Sequence, residues 1–124
     1  MSEDKGTPTY PLHSNIEKIA SICHAINRAY CKMCGDITLV PWDQTPEIIK
    51  ESVRSGVRFA LDHPEATPET MHEEWMKYKL AEGWTWGPVK DIEKKKHPNI
   101  VSYYALDNEQ QTKDHLFLAV VRAW

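Results

Sequence analysis

Apolar residues recur at helical spacing near the start of the chain. Ile16, Ile19, Ala20, Cys23, Ile26, Ala29 and Tyr30 share one face and predict an amphipathic helix. Ser14 or Asn15 can cap it, and Ser14 has Glu17 at the capping-box spacing. Gly35 supplies a stop, with Asp36 turning the chain. After an irregular connection over 36–46, a second helix is predicted from Pro46 to Leu61, with Thr45 as N-cap and Ile49, Val53, Val57 and Ala60 as its buried stripe. Gly56 inside that helix implies a close helix contact. Thr67-Pro68 repeats the cap-then-proline signature and opens a third helix to about Glu82, with Met71, Trp75, Tyr78 and Leu80 facing inward. Trp84-Thr85-Trp86 has strand propensity, and Ile100–Tyr104 is its expected partner across a charged loop at 91–97. Asp107 caps a last helix with Leu116, Phe117, Val120, Val121 and Trp124 as its stripe. The expected fold is therefore mainly α, with about four helices and a small antiparallel β hairpin.

The polar residues 1–13, with Pro8 and Pro11, read as a flexible lead-in, and residues 14–124 as a single domain. A chain of 124 residues can bury one sufficient core without staples. The net charge of −3 gives no electrostatic reason to expect nucleic acid or an anionic membrane as partner. No apolar run approaches the ~20 residues of a membrane span, and the charged N-terminus does not resemble a secretory leader. A cytoplasmic location follows as the expectation. The odd count of three cysteines argues against a secreted disulfide framework. Cys31-Lys32-Met33-Cys34 forms a CxxC; without a second pair it reads as buried, reduced thiols rather than a zinc knuckle, although Cys23 and His24 lie close enough in sequence to keep a metal in view.

No phosphate-binding glycine loop, nucleophile elbow or HExxH is present; His72-Glu73-Glu74 lacks the second histidine. Nothing marks a catalytic group and no cofactor is implied. The chemistry-bearing segment is 72–104. It gathers Trp75, Tyr78, Trp84, Trp86, Tyr103 and Tyr104 with Lys90, Lys94, Lys95, Lys96 and His97. Aromatic faces beside cations suit a planar anionic ligand, since rings stack on a base and lysine meets phosphate. The plainer alternatives are that Trp84 and Trp86, alternating on a strand, share one core-facing side, that the lysine run is a solvated loop, and that His72 and His97 are structural. One internal echo exists: His24 and Tyr30 have the same spacing as His72 and Tyr78.

Three stretches carry a family pattern. They are His72-Glu73-Glu74-Trp75; then Gly83-Trp84-Thr85-Trp86-Gly87-Pro88-Val89-Lys90-Asp91; then His97-Pro98-Asn99-Ile100-Val101-Ser102-Tyr103. Together they resemble the RyR domain, the repeat named after ryanodine receptors, most clearly over 65–122. The N-terminal stretch Cys23–Cys31, with Gly35-Asp36, Trp42 and Gly56–Phe59, is similar to short phage and bacterial proteins of that family. The resemblance implies helices packed on a small antiparallel β element, and a module that binds adenine nucleotide or a nucleotide-derived ligand between aromatic side chains. It places the stacking role on Trp75 and the basic role on Lys90, where the receptor pattern often has arginine; lysine offers a point charge without the bidentate fork. The receptor site uses two repeats. A homodimer, or the N-terminal half with Arg28 and Arg54, would supply the second wall. The expectation is a non-enzymatic ligand-binding module using Trp75, Lys90, Trp84, Trp86, His72, Tyr103, Arg28 and Arg54; the alternative is an interaction or structural accessory module with no small-molecule ligand.

Overall fold

The computed structural model describes residues 15–124; the lead-in at 1–13 and the Ser14 cap lie outside them. Four helices are described: α1 (Ile16–Met33), α2 (Glu47–Asp62), α3 (Pro68–Ala81) and α4 (Asn108–Ala123). α1 packs on α2 and α4, and α3 packs on the same two. The core lies where they meet. Ile19 and Val57 are fully buried there with Cys23, Ala60, Met71, Leu118 and Val121. Burial pushes the Cys23 thiol up to about 12, so it stays protonated and inert. Cys31 and Cys34 are also free thiols. No helix among the described residues is long and apolar enough to cross a membrane.

Two of the four helix starts follow the cap chemistry, whereas Asn15 precedes α1 without a side-chain cap hydrogen bond. Thr67 accepts from the Thr70 N–H at 3.2 Å, and Asp107 accepts from the Gln110 N–H at 2.9 Å. Thr67→Ala should therefore cost ~1 kcal/mol of stability, measured by denaturant unfolding. Thr45 does not cap α2. Its hydroxyl donates to the Pro41 carbonyl at 2.9 Å and meets His24 Nε2 at 3.3 Å, so Pro46 becomes the N-cap. At Gly56 the Phe117 ring of α4 packs closely on α2: a Cβ there would lie 3.1 Å from it.

The β element differs from the expectation. β1 (Thr85–Trp86) pairs with β2 (Lys96–His97), and the pair is parallel, not an antiparallel hairpin. The chain between them reverses twice. Asp91 Oδ1 accepts from the Lys94 N–H at 3.1 Å, Lys95 takes a left-handed φ of 55°, and Asp91 and Lys96 exchange two backbone hydrogen bonds of 2.9 Å. Lys96 thus returns pointing the same way as Thr85. At Gly87 a Cβ would lie 2.8 Å from Lys96 Cβ, so glycine admits the close strand. Pro98 has no N–H to extend the ladder, and His97 Nδ1 accepts from the Asn99 N–H at 3.0 Å. Residues 100–104 therefore turn away, and Tyr103–Ala105 forms a 3-10 turn. Because the strand begins only at Thr85, Trp84 and Trp86 do not share a face: Trp84 is 1% exposed and Trp86 is 53% exposed. Leu80, expected to face inward, is 51% exposed.

The two halves of the chain repeat one arrangement. α1 and α3 each end in a C-cap residue followed by a glycine of positive φ, Gly35 at 97° and Gly83 at 90°, and the residue after each glycine donates back to Cys31 and Lys79 respectively. Each helix is followed by a connection ending in a 3-10 turn, at Trp42–Gln44 and Tyr103–Ala105, that leads into the next helix. His24 and His72 do the same work: each Nε2–H donates 2.7 Å to a valine carbonyl, Val40 or Val101, just before that turn. Each imidazole then tilts on the turn's first aromatic ring, Trp42 or Tyr103. The second half differs by the β element inserted between Gly83 and Val101.

Candidate functional site

A cavity of about 390 Å³ opens where the two halves face one another. This is the size of small-molecule sites. One wall is a stripe of α3. His72, Trp75 and Lys79 fall at i, i+3 and i+7 and all line the cavity. The His72 and Trp75 rings stack, with centroids 5.5 Å apart. Gly83 then turns the chain so that Trp84 also lines it, and β2 contributes His97, whose ring meets Trp75 edge-on at 5.0 Å. The facing walls come from α1 (Asn27, Cys31), the 36–40 connection, and α4 (Gln110, Lys113, Asp114).

The polar groups of the cavity are short of partners. Lys79 is 4% exposed, and its Nζ makes no hydrogen bond or ion pair among the described residues. Instead Nζ lies 4.5 Å from the Trp84 ring centroid and 5.9 Å from that of Trp75. Burial, followed by the nearby Lys90 charge, pulls its pKa down to about 8. Trp84 Nε1–H is buried with no partner among the described residues. A buried donor left unpaired costs ~1–3 kcal/mol. His97 is lowered to about 3 by burial and then by the Lys90, Lys79 and Lys113 charges, so it is neutral. Its Nδ1 accepts from Asn99, which leaves Nε2 carrying the hydrogen. Lys90 is open to solvent at the cavity rim, yet walls on several sides and Lys113 lower its pKa against the pull of Asp36. Asp114, on α4, is raised to about 7 by burial. Its Oδ2 stands 4.0 Å from His72 Nδ1, beyond hydrogen-bond reach.

Of the sequence-predicted site residues, Trp75, Trp84, His72 and Lys90 line this cavity. Tyr103 does not; it packs behind His72 and its hydroxyl meets His115. Trp86 points away from the cavity lining. Arg28 Nε donates 3.1 Å to the Leu39 carbonyl, bracing the 36–40 wall. Arg54 lies elsewhere, under Trp42, held by Glu17 at 2.7 Å, Glu47 at 2.6 Å and Glu51 at 3.4 Å. With three carboxylates around it, its charge is already answered and its pKa is raised, first by Glu17. Sequence reasoning did not single out Lys79, Lys113 or Asp114. The repeat offers a signal for the first: Lys79 follows Tyr78 as the buried Cys31 follows Tyr30.

Among the described residues no group of three His, Cys, Asp or Glu side chains is placed to hold a metal ion. What the arrangement can do is stack a planar ring on Trp75, offer ammonium groups and N–H donors to an anion, and present one carboxyl. Residues 60–119 match the family model of the RyR domain. That match contains all three motif stretches and every α3 and β2 residue of the cavity, whereas α1 and the 36–40 wall lie before it.

Proposed function

We propose that this chain, which carries an RyR domain over residues 60–119, is a non-enzymatic module that binds a nucleotide or nucleotide-derived small molecule in the cavity beside Trp75. The observation that carries the reading is the set of unpartnered donors in an aromatic pocket. Trp84 Nε1–H is withdrawn from solvent with no acceptor among the described residues, and the side chain of Lys79 is buried beside it with no hydrogen bond or ion pair among them. A protein that folds around such groups loses stability unless something accepts from them. An anionic group on a ring that stacks against Trp75 answers both needs. The N-terminal half, built on the same plan, supplies the second wall within one chain, so a homodimer is not required to close the pocket. Turnover is not part of the reading.

The test is thermal unfolding and tryptophan fluorescence with purine and pyrimidine nucleotides, ADP-ribose derivatives and cyclic dinucleotides. A ligand at a hundred times its Kd should add ~2.7 kcal/mol of stability. Trp75→Ala and Lys90→Ala should each weaken that ligand at least tenfold while leaving the fold intact. A panel with no shift would move the weight to a protein-interaction module.

A further inference from the structure

The cavity has two chemically different ends, and Asp114 marks one of them. Along α3 the stripe runs from His72 through Trp75 to Lys79, roughly 10 Å at the helical rise. Asp114 stands beside His72 at one end. Lys79, with the Trp84 indole and the His97 ring nearby, stands at the other. Trp75 lies between them. The Asp114 carboxyl, with a side chain 21% exposed, accepts no hydrogen bond among the described residues. It lines the cavity with an acceptor pair that nothing in the described fold uses. A ring stacked on Trp75 with its anion toward Lys79 turns its far edge to that carboxyl.

We propose that Asp114 is a specificity-determining residue, and that the site prefers a heterocycle whose edge presents adjacent N–H donors, as the lactam and amino groups of guanine do, over one that presents a ring-nitrogen acceptor there, as adenine does. The inference rests on the reading of the cavity as a nucleotide site and adds which base it takes. A carboxylate accepts two parallel N–H bonds in the geometry that such an edge offers. Against a ring nitrogen, its lone pairs face another lone pair. Sites built on a buried polar partner discriminate strongly because the mismatched ligand leaves that partner unpaired.

The experiment is calorimetric titration of the full chain with GMP, IMP and AMP, which share ribose and phosphate and differ only in the ring. It is run at pH 8, above the Asp114 value of about 7, so that the carboxyl is ionised. The expected order is GMP, then IMP, then AMP, with at least tenfold between the extremes. Asp114→Asn should collapse the GMP-to-AMP ratio to within about threefold, chiefly by weakening GMP. The wild-type ratio needs no variant, so a folding defect in Asp114→Asn does not blunt the test. AMP binding as tightly as GMP, with both lost in Trp75→Ala, would overturn this inference and leave the nucleotide reading standing. A GMP preference that survives Asp114→Asn would also overturn it. Absence of binding by all three would overturn the inference, and the wider nucleotide panel would then decide the reading on its own.

Discussion

Trp84→Ala is expected to remove a large fraction of the stability of the fold. Trp84 is 1% exposed and is the largest fully buried side chain. It links three parts of the molecule: its backbone N–H donates 2.9 Å to Lys79 at the end of α3, its ring faces the Lys79 ammonium, and it tilts on His97 of β2. Truncating a buried aromatic costs ~3–5 kcal/mol. Native domains hold only ~5–15 kcal/mol in total. Denaturant unfolding should show a midpoint lowered by a large fraction, with the element at 84–97 losing amide protection first. Trp84→Phe separates packing from polarity. It loses some volume and also deletes the buried indole N–H that has no partner, whose burial costs ~1–3 kcal/mol. The two effects oppose, so Trp84→Phe should be far milder than Trp84→Ala. A Phe variant as unstable as the Ala variant would mean that the indole N–H is satisfied in solution.

Much of the scaffold was legible because local chemistry decided it. Thr67-Pro68 and Asp107 announce helix starts by the side-chain oxygens that accept from the first turn. Gly83 announces a stop by its positive φ. The β element was misread because strand propensity at Ile100–Tyr104 is a local preference, whereas pairing is tertiary. Two features of the intervening sequence reverse the chain earlier, the Asp91 turn and Pro98. Arg54 illustrates a second limit. An arginine on a helix reads as available charge, and only the fold shows Glu17, Glu47 and Glu51 converging on it. Lys79 illustrates the opposite case. Lysines almost always face solvent, so a lysine on a helix carries no sign of burial by itself. The sign lay in the spacing shared by His24, Tyr30 and Gly35 with His72, Tyr78 and Gly83. Extended by one position past each tyrosine, it sets Lys79 where the other half buries Cys31.

Lys79→Met should stabilise the ligand-free protein while removing its response to an anionic ligand. At neutral pH the Lys79 side chain is buried with no counter-ion among the described residues, and the drop from ~10.4 in an unfolded chain to about 8 in the fold corresponds to ~3 kcal/mol of penalty. Attraction to the Trp84 and Trp75 rings returns part of it, ~0.5–2 kcal/mol for each well-placed ring. Methionine keeps the length of the stem and the contact with the indoles without the charge. The net expectation is a gain of ~1–2 kcal/mol, a few degrees in Tm. The sign with pH follows from proton counts. Between the folded value of about 8 and the unfolded ~10.4, the unfolded chain binds more protons, so wild-type stability rises with pH across that window and is flat just below it. Lys79→Met should lose the Lys79 share of that rise. Asp114, raised to about 7, loses stability as pH climbs through the acid range, and His97, lowered to about 3, gains it there, whereas the lowered Lys90 adds a rise of its own in the alkaline window, so the share of Lys79 is the difference between wild type and variant. Unfolding midpoints at pH 7.5 and 9.5, with and without a nucleotide that shifts the wild type, give both readouts. A variant that is less stable at both pH values would place a counter-ion on Lys79. A variant that is more stable but still shifted by the nucleotide would take the ammonium out of the binding site.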